Sequence, residues 1–256
     1  MTKRVLWGRQ QVKTALQEGV VPSVILVDND DAEAETRALL DRTKFGRLPL
    51  YRRPTRELDA IARGGKHEGI ICINGEYSYI DLDQLLSRRK SPDLFLCLDE
   101  VTDPGNVGSI YRSAAAFGVD GVIFTKDRSA TVNDTVVRVS NGATELLRTA
   151  RVTNLVRTIE RLADEGVVTV GLEADTAITL ESLDLTQPIA LVMGSEGKGL
   201  RRLVRERCSV LAKIPMQPPL DSLNVAMASA VALYEVQRQR RAGHLAALVK
   251  SVSEER

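Results

Sequence analysis

From Leu94 onward the chain repeats one pattern: a short apolar run, a polar turn, then a stretch of helical period. The apolar runs fall at 94–98 (LFLCL), 121–124, 167–172, 189–193 and 210–214. A continuous apolar run suits a strand buried on both faces. The spacing predicts helices over 110–117, 132–139, 155–163, 200–207 and 223–241. Strands that alternate with helices in this way pair in parallel and carry helices on both faces, so the fold class is α/β.

Residues 1–75 alternate as well, with shorter elements. Helices are predicted over 8–17, 31–42 and 54–62, and strands over 23–27, 48–52 and 69–73. Gly19 and Gly64-Gly65 serve as helix stops. Residues 76–93 are polar, hold a short helix over 82–87 and end in Arg88-Arg89-Lys90-Ser91-Pro92. This stretch reads as a connection, which leaves a small domain over 1–75 and a large one over 94–256.

Composition narrows the partners. Aromatic residues are only 4% of the chain, which excludes a broad base-stacking platform. A net charge of +1 excludes a basic coat, so a nucleic acid would have to meet local patches. Arg52, Arg53, Arg56, Arg63 and Lys66 cluster late in the first domain. They form either a solvated face or a phosphate-contacting patch. No apolar run approaches the roughly 18 residues of a membrane span. The start, MTKRVLWGRQ, has no secretory h-region. Cys72, Cys97 and Cys208 lie far apart without a CxxC, as free thiols of a reducing compartment do. Two histidines argue against a His-based metal site or a Ser-His-Asp triad.

Three stretches carry candidate chemistry. Residues 98–118 (LDEVTDPGNVGSIYRSAAAFG) bring Asp99, Glu100, Asp103 and Asn106 onto a loop after a strand, with Arg112 on the helix behind it. In parallel sheets, ligands bind beyond the carboxyl ends of strands. The alternative is a plain loop and a surface arginine. Residues 191–200 (LVMGSEGKGL) hold a glycine loop that is neither a Walker A loop nor a GxGxxG fingerprint. Its glycines let backbone approach a ligand, or simply form a tight turn. Ser222-Leu223-Asn224 opens the last long helix; Ser222 either caps that helix or shares a pocket with Asn224 and the glycine loop.

Taken together and in this order, these motifs resemble the SpoU/TrmH family of RNA ribose 2'-O-methyltransferases. Residues 98–118 match its first motif, 191–200 its second, and 214–216 (IPM) with 222–229 its third. The first domain resembles the family's substrate-binding domain through Trp7-Gly8, Val12, Ala15-Leu16 and His67-Glu68-Gly69-Ile70. Arg151-Val152-Thr153-Asn154-Leu155 resembles the bacterial enzymes that methylate a guanosine of 23S rRNA.

The resemblance implies a deep trefoil knot in the C-terminal parallel-sheet domain and an L30e/L7Ae-like α/β domain over 1–75 that binds RNA. It implies S-adenosylmethionine as methyl donor, held by Gly194, Gly199, Ile214, Met216 and Leu223. Catalysis would rest on Arg112, with Asn106, Glu196, Ser222 and Asn224 orienting it or the nucleotide. It also implies a cytoplasmic homodimer in which Arg112 reaches the partner's site, with no metal and no membrane. As a literal base, a guanidinium would cost roughly 9 kcal/mol to neutralise near pH 7. A charged donor that steadies the developing alkoxide is the better role. Methylation of tRNA, methylation of an antibiotic-resistance site in rRNA, and a catalytically silent RNA-binding protein on the same fold are the alternatives.

Overall fold

A computed structural model describes residues 4–18, 20, 22–42, 48–75, 77–87, 89 and 91–254. Gly19, Glu76, Arg88 and Lys90, named above, lie outside the described residues. The chain opens with β1 (Arg4–Trp7), α1 (Arg9–Gln17), β2 (Pro22–Val27), α2 (Asp30–Asp41), β3 (Leu50–Arg52), α3 (Thr55–Ala62) and β4 (Ile70–Asn74). Then come α4 (Leu82–Leu86), β5 (Leu94–Leu98), α5 (Pro104–Ala116), β6 (Gly121–Thr125), α6 (Asp134–Ser140) and α7 (Ala143–Leu146). Next are β7 (Arg148–Val152), α8 (Leu155–Asp164), β8 (Val168–Leu172) and β9 (Ile189–Met193). The chain closes with α9 (Arg202–Arg207), β10 (Val210–Ala212) and α10 (Val225–Glu254).

Two compact units result: Met1–Ser78 with Thr131–Leu146, and Tyr79–Ala130 with Leu147–Arg256. The first unit holds a four-stranded sheet in the order β1-β4-β2-β3. β4 pairs antiparallel with β1 and β2, and β2 pairs parallel with β3. Side chains alternate across a strand. Val5 and Trp7, Val24 and Leu26, and Ile71 and Ile73 therefore share one face, where they pack on Leu58, Ile61 and Ala62 of α3. That helix ends with Arg63 in the left-handed region (φ 48°), one residue before the expected glycines. β1 was not expected, because four residues leading straight into a helix show no periodicity.

The second unit holds a six-stranded, wholly parallel sheet in the order β10-β8-β9-β5-β6-β7. Every residue of β5, β6 and β9 is buried, which is why these strands read as unbroken apolar runs. Phe95, Cys97, Ala190 and Val192 face α8 and α9 through Leu155, Ile159, Leu162 and Val204. The strand residues between them point to the other side, where α5 and α10 pack on each other. β7, an edge strand with the sequence RTARV, was missed because its arginines break the apolar run. Among the described residues no helix is long and apolar enough to cross a membrane.

Helix starts follow side-chain capping. Asn29, Asp103, Asn133 and Asn154 each accept a backbone N–H from the first turn of α2, α5, α6 and α8. Asn224 does the same for α10, its Oδ1 accepting from Ala226 N at 2.9 Å and Met227 N at 3.4 Å. The capping role considered for Ser222 thus belongs to Asn224, two residues on. The Ser222 hydroxyl instead donates to Asp221 at 3.1 Å.

A candidate active site at the carboxyl edge of the parallel sheet

β8, β9 and β10 all deliver their carboxyl ends to one side of the second unit. The loops that follow enclose a cavity of about 650 Å³. This lies within the range of roughly 300–1,000 Å³ typical of small-molecule sites. Its wall includes Gly194, Glu196, Gly199, Ile214, Met216, Ser222, Leu223 and Asn224. Eight of the ten sequence-derived site residues are therefore assembled around one space. β10 stops at Ala212, paired with Leu172 at the end of β8, so the expected strand over 210–214 ends early. Ile214 and Met216 are thereby released from the ladder to line the cavity.

The glycine loop is a closed turn. Ser195 N donates to Gly199 O at 3.1 Å, and Gly199 N donates to Ser195 O at 2.9 Å. The loop folds back so closely that a Cβ on Gly194 would stand 2.1 Å from the Gly199 carbonyl carbon. No side chain fits at Gly194, and the backbone itself forms that part of the wall. A Cβ on Gly199 would lie 3.5 Å from the Glu173 carboxylate, which also faces the cavity.

Asn224 fixes the mouth. Its Oδ1 is occupied by the first turn of α10, so its Nδ2 must point the other way. There it donates to Asn106 Oδ1 at 2.9 Å and to Glu196 Oε1. Asn106 is not in the cavity wall; it is held beside it through this bond and through Asp103, which accepts from its backbone N–H at 2.7 Å. Arg112 is not brought to the cavity. It is exposed on α5, and among the described residues no ion pair or hydrogen bond engages it.

One pair was invisible in the sequence. Asp99, wholly buried at the end of β5, accepts from Arg201 N at 2.8 Å and from Arg201 Nε at 2.6 Å. Glu100 then bridges Arg201 Nη1 at 3.5 Å and Arg128 Nη1 at 3.1 Å. This network ties the loop after β5 to the residue that ends the glycine loop. A separation of 102 residues leaves no local signal for it. Glu173 was also missed, although its place just after a predicted strand end was a usable clue. Behind the site, burial and then Asp99 push the Cys208 thiol up to about 12. Burial, then Cys208 and Asp99, raise Cys97 further.

Comparison with known proteins gives a consistent set. The SpoU rRNA Methylase family matches residues 93–234, and an RNA 2'-O ribose methyltransferase substrate-binding family matches residues 5–80. The 23S rRNA (guanosine-2'-O-)-methyltransferase RlmB of Pseudomonas aeruginosa is 46% identical over 200 residues, covering 76% of this chain and 79% of that protein. An uncharacterized tRNA/rRNA methyltransferase of Mycolicibacterium vanbaalenii is 41% identical over 244 residues, 93% of this chain and 77% of that one. The SpoU methyltransferase AviRb of Streptomyces viridochromogenes, solved with AdoMet, aligns with a TM-score of 0.79 at 26% identity, covering 94% of this chain and 92% of that one.

Proposed function

This chain belongs to the SpoU rRNA methylase family, and we propose that it methylates the ribose 2'-hydroxyl of a guanosine in 23S rRNA, with S-adenosylmethionine as donor. The observation that carries the reading is the convergence of Asn224, Glu196 and Asn106 at the mouth of a cavity walled by the backbone of residues 194–199.

The cavity suits the donor. Leu172, Ile214, Met216 and Leu223 give apolar surface for rings and methylenes, and Glu173 and Glu196 give carboxylates that favour a cation. The side-chain-free turn at Gly194 leaves peptide groups to bond a polar ligand edge. When bound, S-adenosylmethionine supplies a methyl group activated by positive sulfur. The chain's own task is to hold the hydroxyl in line and to manage one proton. Asn224 and Glu196 orient the acceptor. Arg112 acts as a charged donor towards the developing alkoxide, as its fork geometry allows.

Arg112 lies away from its own cavity, so we read it as serving the site of a second copy. The exposed apolar stripe on and just before α10 supports a homodimer: Leu223, Met227, Val231 and Tyr234 are 38%, 62%, 44% and 53% exposed. In this reading the segment around residues 191–241 forms a trefoil knot, a rare exception to ordinary chain connection. The first unit is an L30e/L7Ae-like module that selects the RNA. Its edge strand β3 presents Tyr51 with Arg53 5.8 Å from the ring, next to Arg52. The enzyme works in the cytoplasm, where rRNA is made.

The test is mass-spectrometric mapping of 2'-O-methyl groups in 23S rRNA and tRNA, from cells with and without the gene. One 23S guanosine losing its mark is the expected result. An unchanged rRNA pattern with a lost tRNA mark would overturn the substrate assignment.

A further inference from the structure

Glu173 and Glu196 both face the large cavity, and only Glu196 is already engaged, by Asn224. Glu173 directly follows β8, where its backbone N–H donates to Ala212 O at 3.0 Å and fixes its place in the wall. Among the described residues no hydrogen bond reaches its carboxylate. Its ion pair is long: Arg205 Nε stands 4.0 Å from Oε2, beyond hydrogen-bond range. The side chain still keeps 18% of its surface open, so a ligand in the cavity can reach it. A carboxylate so far withdrawn from water favours a ligand that brings hydrogen-bond donors. The space before it is kept clear. A Cβ on Gly199 would stand 3.5 Å from each carboxylate oxygen and 3.9 Å from the carbon between them. The fork thus points at a residue that has no side chain to fill it.

The strand order gives this placement a meaning. β8 and β9 are parallel neighbours, with Gly171 opposite Val192. Two residues further on, Glu173 is level with Gly194, where the glycine loop begins. Dinucleotide-binding sheets use the same placement: a glycine turn lets backbone approach the ligand, and an acid further along the chain accepts from the ribose 2'-hydroxyl. S-adenosylmethionine offers three kinds of donor. Its adenine amino group is flanked by ring acceptors, which repel a carboxylate. Its α-ammonium is a single atom. Its ribose hydroxyls sit on neighbouring carbons, and only they present two donors side by side to two oxygens. Resting on the reading of this cavity as the methyl-donor site, we propose that Glu173 holds the ribose of the donor by accepting from its 2'- and 3'-hydroxyls. Glu196 and Asn224 are thereby left to the reacting end.

The test is isothermal titration of the full-length protein with three ligands. They are S-adenosylhomocysteine, its 2'-deoxyribose counterpart, and 5'-methylthioadenosine, which keeps both hydroxyls and lacks the amino-acid tail. Wild type is expected to bind the 2'-deoxy ligand at least about tenfold more weakly than S-adenosylhomocysteine, the usual effect of losing a hydrogen bond to a charged group. Glu173→Ala is expected to weaken S-adenosylhomocysteine and 5'-methylthioadenosine alike, by about 10–100-fold, and to erase the preference for ribose. Glu173→Gln keeps one acceptor oxygen and is expected to fall between. Equal binding of the two sugars by wild type would overturn the proposal, and so would a preference that survives Glu173→Ala. A loss confined to S-adenosylhomocysteine would also overturn it, by assigning the carboxylate to the ammonium of the tail. The wild-type series decides the matter even if a variant does not fold. Binding without a sugar preference removes only the role of Glu173; binding of none of the three removes the reading beneath it.

Discussion

Asn224 joins two jobs in one side chain: its Oδ1 caps α10, and its Nδ2 links Asn106 to Glu196. Substitutions at this position separate the two. Asn224→Asp keeps an oxygen for the cap but loses the donor and places a second carboxylate beside Glu196. Methyl transfer is expected to fall at least tenfold while the melting temperature stays within a few degrees. Asn224→Ala is expected to lose activity and also about 1 kcal/mol of stability, the usual worth of a cap. Thermal unfolding run beside a methylation assay checks both.

Gly194 and Gly197 give a contrast within one loop. A Cβ at Gly194 meets backbone at 2.1 Å, whereas at Gly197 it meets nothing within 4 Å but must sit at φ +75°. Gly197→Ala is expected to cost about 1–2 kcal/mol from the left-handed backbone alone. Gly194→Ala forces the turn open and is expected to cost about 1–3 kcal/mol from overpacking. Only the latter should abolish donor binding. Denaturant unfolding and isothermal titration with S-adenosylmethionine distinguish the two.

Removing Arg201 strands the buried Asp99. A broken buried pair costs about 3–5 kcal/mol, but the Arg201 side chain is 39% exposed and water recovers part, so Arg201→Met is expected to cost about 2–3 kcal/mol. Adding Asp99→Asn should restore some of that loss. Strict additivity in the double-mutant cycle would show that the pair does not couple the two loops.

The Cys208 thiol is raised from its ordinary value near 9 to about 12. The unfolded thiol therefore ionises first on raising the pH, while the folded one keeps its proton. The stability this group contributes is complete below about pH 9 and declines as pH climbs towards 12. Relative to wild type, Cys208→Ala is expected to gain about 1–2 kcal/mol between pH 8 and 10.5. Iodoacetamide at pH 8 should leave Cys97 and Cys208 unmodified in the folded protein and label both in denaturant. Rapid labelling of the native protein would contradict the burial.

Much of the second unit was readable because its central strands are buried on both faces, as LFLCL and the run at β9 show. The glycine loop was readable because only Gly survives at 194. Edge strands resisted: β7 is open on one side and tolerates Arg148 and Arg151, so its pattern is broken. The last helix was expected to stop at Arg241, yet it runs to Glu254, carried through Gly243 by good helix formers on both sides. The cap at Asn224 was hidden because Ser222 is an equally good cap by type. Tertiary contact with Glu196 and Asn106 decided between them. The place of α6 beside β1 in the first unit had no trace in the local pattern either.

The strand order of the large sheet also sets a timetable for synthesis. β5 lies at the middle, and its partner β6 follows at once, with Phe95 opposite Gly121. Its other partner, β9, pairs Ile189 with Leu94, roughly 95 residues later. At about 5–20 residues per second, the free edge of the most apolar strand waits roughly 5–20 s on the ribosome for its cover. No part of the cavity can close before that wait ends. The unpaired side of β5 is therefore bare through that stretch of translation, when an apolar strand edge is most adhesive.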